Sequence, residues 1–134
     1  MKNLLTALAA FTLFISSGCE MSPEDASAAL HKLFEDEWEK GLKEYPERAT
    51  YQGDDRYNDR LTDMSLEAIE RRHGESKDLL KRLDKIPREK LNDSDKLNFD
   101  LYRKKLMRGL EGFQYKGHLM PIDQMGGVQI NSPN

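Results

Sequence analysis

The sequence predicts an all-α fold, and three observations carry that prediction. Apolar residues recur at three- and four-residue steps in three separate stretches, the signature of amphipathic helices. Each stretch opens on a residue that can cap a helix, and proline or glycine closes it. The expected helices cover about 23–44, 65–86 and 93–114. A long ordered loop separates the first two, an irregular tail follows the third, and the whole is expected to be part of a larger helical fold.

Ser22-Pro23-Glu24-Asp25 starts the first helix. Ser22 can cap, Pro23 suits the first helical position, and the two acids complement the positive end of the helix dipole. Leu30, Leu33, Phe34, Trp38, Leu42 and Tyr45 then mark its buried stripe, and Pro46 cannot continue it. Gly41 weakens the last turns and is read as a point of close packing.

Ser65 caps the second helix, with Met64 before it and Ile69 at the fourth helical position, the spacing of a hydrophobic staple. Leu66, Ile69, Leu80 and Leu83 hold its apolar face, and Leu79 and Ile86 widen it. Glu67 with Arg71 and Asp78 with Arg82 stand four residues apart, as supporting ion pairs do. Pro87 is expected to end the helix. Asn92 or Ser94 caps the third helix, whose stripe is Phe99, Tyr102, Leu106, Leu110 and Phe113. Leu97 and Leu101 point nearly opposite, and a helix apolar on more than one side expects neighbours on more than one side.

Between the first two helices, 45–63, the periodicity vanishes. Asp54, Asp55, Asp59 and Asp63 alternate with Arg56 and Arg60, beside Tyr51 and Tyr57. A calcium site is excluded because the central glycine and terminal glutamate of an EF-hand are missing. Two readings fit: a polar loop held by Asp–Arg pairs, or a substrate-facing loop presenting Tyr51, Asp54, Tyr57, Asp59 and Arg60. Long ordered loops often carry function.

At the other end, Lys2 precedes twelve residues without a charge, Leu4 to Ile15. A membrane-spanning helix needs about 20 apolar residues, so this run describes a signal peptide instead. Ser16-Ser17-Gly18-Cys19 resembles a bacterial lipobox, with Ser16 where leucine is commonest. The expected division is a lipoprotein signal peptide over 1–18, a lipidated N-terminus and short spacer over 19–22, and a helical segment over 23–134. Cys19 is the single cysteine, so no disulfide forms within the chain. Two or more acyl chains on Cys19 would hold the protein stably on the lipid bilayer. The expected place is the bacterial envelope, facing the periplasm or exterior. Glu20, rather than aspartate, after the cysteine favours the outer membrane where the host has one.

A net charge of −3 with both signs interspersed excludes the basic stripe of a nucleic-acid binder. No catalytic constellation is complete. His31, His73 and His118 fall in different segments, without the paired spacing a zinc site needs. His73, at the margin of the second helix's apolar face, reads as a packed edge residue. No serine stands in a nucleophile elbow. Glu35 and Glu39 share a helix face near Trp38, but a solvated acidic face explains them as well as an acid–base pair does.

Tyr45-Pro46, Ala49-Thr50, Gly53-Asp54 and Tyr57 with Asp59-Arg60-Leu61 resemble the opening of the bacterial family called domain of unknown function 885. Met120-Pro121-Ile122-Asp123-Gln124-Met125-Gly126-Gly127 resembles a loop after that family's early helices, and the ordered matches run from about Phe34 to Gln129. The resemblance implies a largely helical, often exported or lipid-anchored protein similar to zincin-type metallopeptidases. Its metal site is a His-Glu-x-x-His-like helix further downstream. That motif does not occur in this sequence, so no catalytic or metal-binding residue carries over, and zinc and a peptide substrate are implied only for the longer protein. The chain alone is expected to be an inactive N-terminal scaffold whose partner is the rest of that fold. The alternative is a free-standing helical envelope lipoprotein that works by binding. The anchor is directly testable: cells given a radioactive fatty acid should label the wild type, and Cys19→Ser should abolish the label.

Overall fold

The computed structural model describes residues 21–119, which are helical with intervening turns and contain no strand. The expected leader, Cys19 and the 120–127 stretch lie outside the described residues. Four α-helices follow one another: α1 Pro23–Glu44, α2 Pro46–Tyr51, α3 Leu66–Leu83 and α4 Asp93–Phe113. Single 3-10 turns stand at Asp55–Tyr57, Arg88–Lys90 and Gly117–Leu119.

Local chemistry sets the boundaries. The Asp25 backbone N–H donates to Ser22 Oγ at 3.1 Å, and the Ser22 hydroxyl donates to the Asp25 carboxylate at 2.8 Å. That exchange satisfies one otherwise orphaned amide at the start of α1. Ser65 caps α3 through the Ala68 N–H, and Asn92, not Ser94, caps α4 through the Asp95 N–H. The expected staple has little substance, since Met64 remains 68% exposed.

Two boundaries depart from expectation. Pro46 does end α1, but it also opens α2, because its fixed φ suits a first helical position. α2 is short and closes in a Schellman motif. The Asp54 N–H reaches the Ala49 carbonyl and the Gly53 N–H reaches the Thr50 carbonyl, each at 2.9 Å, with Gly53 at φ +83°. The expected uninterrupted loop is therefore a helix, a 3-10 turn and short links. α3 in turn stops at Leu83, four residues before Pro87. Asp84 caps it and the Ile86 N–H bonds back to the Leu83 carbonyl in a turn.

The core is built where α1, α3 and the start of α4 meet. Ala26, Leu30 and Leu33 from α1 pack with Leu79 and Leu83 of α3, Ile86 and Leu91 of the connection, and Phe99 of α4. Leu30 and Leu83 are fully buried. Burial of a leucine side chain contributes about 1.5–3 kcal/mol, so this small cluster is the main source of cohesion. Phe34 and Tyr102 extend it with an edge-on contact, ring centroids 5.0 Å apart. The apolar face of α3 is centred on Ala68, Leu79 and Leu83. Leu66, expected inside, is 55% exposed.

Above the core the contact between α1 and α3 becomes ionic. Arg71 meets Glu44 at 2.5 Å and Glu75 at 2.9 Å, and Arg72 meets Glu44 at 2.8 Å and the Asp63 carbonyl at 2.8 Å. Lys40 closes on Glu75 at 2.9 Å, and Arg82 reaches Glu37 at 3.5 Å. The expected pairs within α3 are thus replaced: Arg71 and Arg82 cross to α1, and Asp78 takes Lys81 instead. Burial alone would raise the Glu44 carboxyl, but hydrogen bonds and charge from Arg71 and Arg72 outweigh it and hold it below the usual range.

Asp95 is the buried charged residue of the described part, 4% exposed. His31 of α1 donates through Nε2 to Oδ1 at 2.8 Å, and the Asn92 amide donates to Oδ2 at 2.8 Å. The His31 bond first, and then one from Ser27, keep the Asp95 carboxyl below the ordinary aspartate range despite burial. A lowered folded-state pKa means that the folded chain binds fewer protons than the unfolded one. The stabilisation is complete above the unfolded value near 3.8 and is lost as pH falls through the folded one. Asp95→Asn should lower the melting temperature by several degrees at neutral pH, and the gap from wild type should shrink as the pH is taken down through the carboxylate range.

Candidate functional site

Two regions combine exposed aromatic surface with charge. The first is the connection after α2. Asp54 accepts from the Arg56 backbone N–H at 3.1 Å, and from Arg56 Nη2 at 2.6 Å, while the same Nη2 reaches Glu39 of α1 at 3.0 Å. The Arg56 bond first holds the Asp54 carboxyl below its usual range. The Arg56 guanidinium lies 5.3 Å and the Arg60 guanidinium 5.4 Å from the Tyr57 ring centroid, and Arg60 pairs with Asp59 at 3.2 Å. The Thr50 hydroxyl donates to the Asn58 side chain. Thr62 is held at the other end by Glu47, whose carboxylate accepts its N–H at 3.0 Å and its hydroxyl at 2.5 Å.

The structure therefore brings Asp54, Tyr57, Asp59 and Arg60 into one pinned ribbon, with each charge paired to a neighbour. Tyr51, at the end of α2, stands apart and is 93% exposed. Surface pairs of this kind contribute about 0–1 kcal/mol each, so the ribbon's shape comes from their number and from the Gly53 turn.

The second region is a groove of about 530 Å³ between α1 and α4. Phe34, Trp38, Gly41 and Leu42 form one wall, Asn98, Leu101, Tyr102 and Lys105 the other, and Arg48 of α2 closes an end. Trp38 is 50% exposed and Leu101 59%. The Arg48 guanidinium sits 5.7 Å from the Trp38 ring centroid, and Lys105 Nζ sits 5.9 Å from that of Tyr102. Glu37 also lines the groove, engaged with Arg82 and Lys40. The expected acidic face is divided up in the same way: Asp36 takes Lys32, and Glu39 takes Arg56. Burial comes first in pushing the Tyr102 phenol up.

Sequence reasoning found Trp38 and the outward Leu101, but not Arg48 and Lys105. Arg48 is on a helix that the periodicity does not reveal. Lys105 is three residues beyond Tyr102, a spacing that puts cation and ring side by side on one helix face, and this was the available signal.

Near the end of α4, His73 stacks on Phe113 with centroids 3.7 Å apart and planes 9° apart, and His118 stacks on the same ring at 5.2 Å. Burial, then the charge of Lys77, push the His73 imidazole down. His73 is thus a packed edge residue, as its position implies. Among the described residues no group of three histidine, cysteine or acidic side chains converges.

With this geometry in place, comparison with known proteins gives one match. The model of the family described as bacterial protein of unknown function (DUF885) covers residues 46–133, from the start of α2 past the end of α4. That is well over half of the chain, and the protein belongs to this family. The match begins after α1, whereas the resemblance read from the motifs begins at about Phe34. No curated protein and no solved structure matches the chain.

Gly41 corrects one sequence expectation. A Cβ built there meets nothing within 4 Å, so this glycine opens the groove wall and does not serve close packing. Gly41→Ala should stabilise the protein by about 0.5–1 kcal/mol, because a helix-interior glycine loses more backbone entropy than alanine. Chemical denaturation checks this, and a destabilised variant would restore the close-packing reading.

Proposed function

We propose that this chain is the N-terminal scaffold segment of an exported, lipid-anchored protein resembling zinc metallopeptidases. In this reading the catalytic metal ligands are supplied by another part of the protein. The observation that supports it most directly is α4. Its inner stripe is anchored by Phe99 in the core, while Leu97, and Leu101 in the groove wall, are each 59% exposed and Met107 is 37% exposed. Exposed apolar side chains repeated along one helix mark a surface built to be covered. A further helical body laid over α4 would bury them. The lipid anchor rests on the lipobox-like Ser16-Ser17-Gly18-Cys19.

Among the described residues no group of three histidine, cysteine or acidic side chains converges as zinc ligands would: His31 sits beside Asp95, while His73 and His118 lie apart from it, against Phe113. No step of peptide hydrolysis is therefore assigned to them. In the scaffold reading the Asp54–Arg60 ribbon and Tyr51 border the space where a peptide substrate would lie. A second reading, a free-standing envelope lipoprotein that acts by binding, draws its support from the aromatic groove between α1 and α4.

Metal analysis and a peptidase assay on the purified chain test the scaffold reading. No stoichiometric zinc and no hydrolysis are expected, and zinc together with activity would overturn it. Thermal melting separates the two readings. A broad transition with binding of an apolar dye fits a scaffold missing its cover, while one sharp transition without dye binding fits the free-standing module.

A further inference from the structure

We propose that the α1–α4 groove is a docking site for an acidic–apolar segment of a partner protein, with a carboxylate seated between Arg48 and Lys105 and an apolar side chain laid against Trp38. The inference stands on the groove itself and does not require the peptidase reading.

Charge carries the choice of occupant. Across the described surface, Lys40, Arg56, Arg71, Arg72, Arg82, Arg88 and Arg103 each meet a carboxylate within 4.0 Å. Lys43, Arg48, Lys77, Lys85, Lys104, Lys105, Arg108 and Lys116 do not. Of these, Arg48 and Lys105 each lie over an aromatic ring, Trp38 at 5.7 Å and Tyr102 at 5.9 Å. They come from different helices, α2 and α4, and converge on one groove. Glu37, the acid in the lining, is 14% exposed and engaged with Arg82 and Lys40, and makes no ion pair with either cation. A groove lined by apolar side chains and by two cations that have no carboxylate partner favours an acid flanked by apolar groups. A cation over a ring face keeps its outer hydrogens for a second partner, so a carboxylate can bind without breaking either ring contact. The volume of about 530 Å³ accommodates a few side chains of an extended segment.

Trp38 is the single tryptophan, so its emission reports occupancy of the groove directly. The full chain, purified in mild detergent, is titrated with a capped Leu-Glu-Leu-Asp-Leu peptide and with its amide counterpart Leu-Gln-Leu-Asn-Leu. The acidic peptide should shift Trp38 emission saturably and bind about tenfold or more tighter than the amide peptide. Raising the salt should narrow that gap. Arg48→Gln with Lys105→Gln should bring the acidic peptide down to the amide level, and each single variant should fall between. Lys104→Gln, exposed on α4 away from the groove, should leave binding unchanged. Equal binding of the two peptides, or no saturable change at millimolar peptide, would overturn the proposal. So would an emission shift that follows protein concentration without peptide, since that would make a second copy the occupant.

Discussion

The buried carboxylate of Asp95 ties α4 to α1. Asp95 lies in the first turn of α4, where a negative charge complements the helix dipole, and it is almost wholly out of water. A charge so placed is tolerated only when its oxygens are occupied, and His31 and Asn92 occupy one each. Asn92 at the same time caps α4 through the Asp95 amide. The start of the helix, its cap and its attachment to α1 are thus one hydrogen-bonded unit. Phe99, one turn further along α4, belongs to the apolar cluster with Leu30, Leu83 and Leu91, and Asn98, Leu101, Tyr102 and Lys105 of the same helix form the groove wall.

The chain is rich in charge and poor in core, with 34% charged residues. It answers this by dividing its contacts by kind. Apolar side chains hold the end where α1, α3 and α4 meet, and carboxylate–guanidinium contacts hold the far end of α1 against α3. Glu44 takes two arginines there, and Arg72 reaches on to the Asp63 carbonyl and lies over the Tyr45 ring. The same style continues into the ribbon after α2. Such regions keep their form through many weak contacts.

How much of this was legible depends on the range of the interaction. The caps at Ser22, Ser65 and Asn92, and the α1 span, follow from neighbours within four residues and were readable. α2 was not: it is too short to show a period, and Pro46 signals a stop and a start with the same chemistry. The pair Pro46 and Gly53, one at the entrance and the other just past the exit of a helix, was the cue for it. Ion pairing was misread for a different reason. Four-residue spacing makes partners available, but a carboxylate on a facing helix competes, and Arg71 and Arg82 take the facing ones. The residues of the groove were visible singly; their convergence is tertiary and has no local signature. The doubly apolar character of the last helix was legible because it belongs to one element.

The spacing of these contacts along the chain has its own consequence for how the fold assembles. α3 and α4 are joined by the short 84–92 connection and form a helical hairpin whose closure involves a small loop. His31 and Asp95, by contrast, are 64 positions apart. The entropy of closing a loop grows with its length, and contacts between distant residues are rewarded only after that entropy has been lost. α1 is in this sense a strap laid over a hairpin of more local contacts. The groove has one wall on the strap and the other on the hairpin, so it exists only once the long-range contacts of α1 are made.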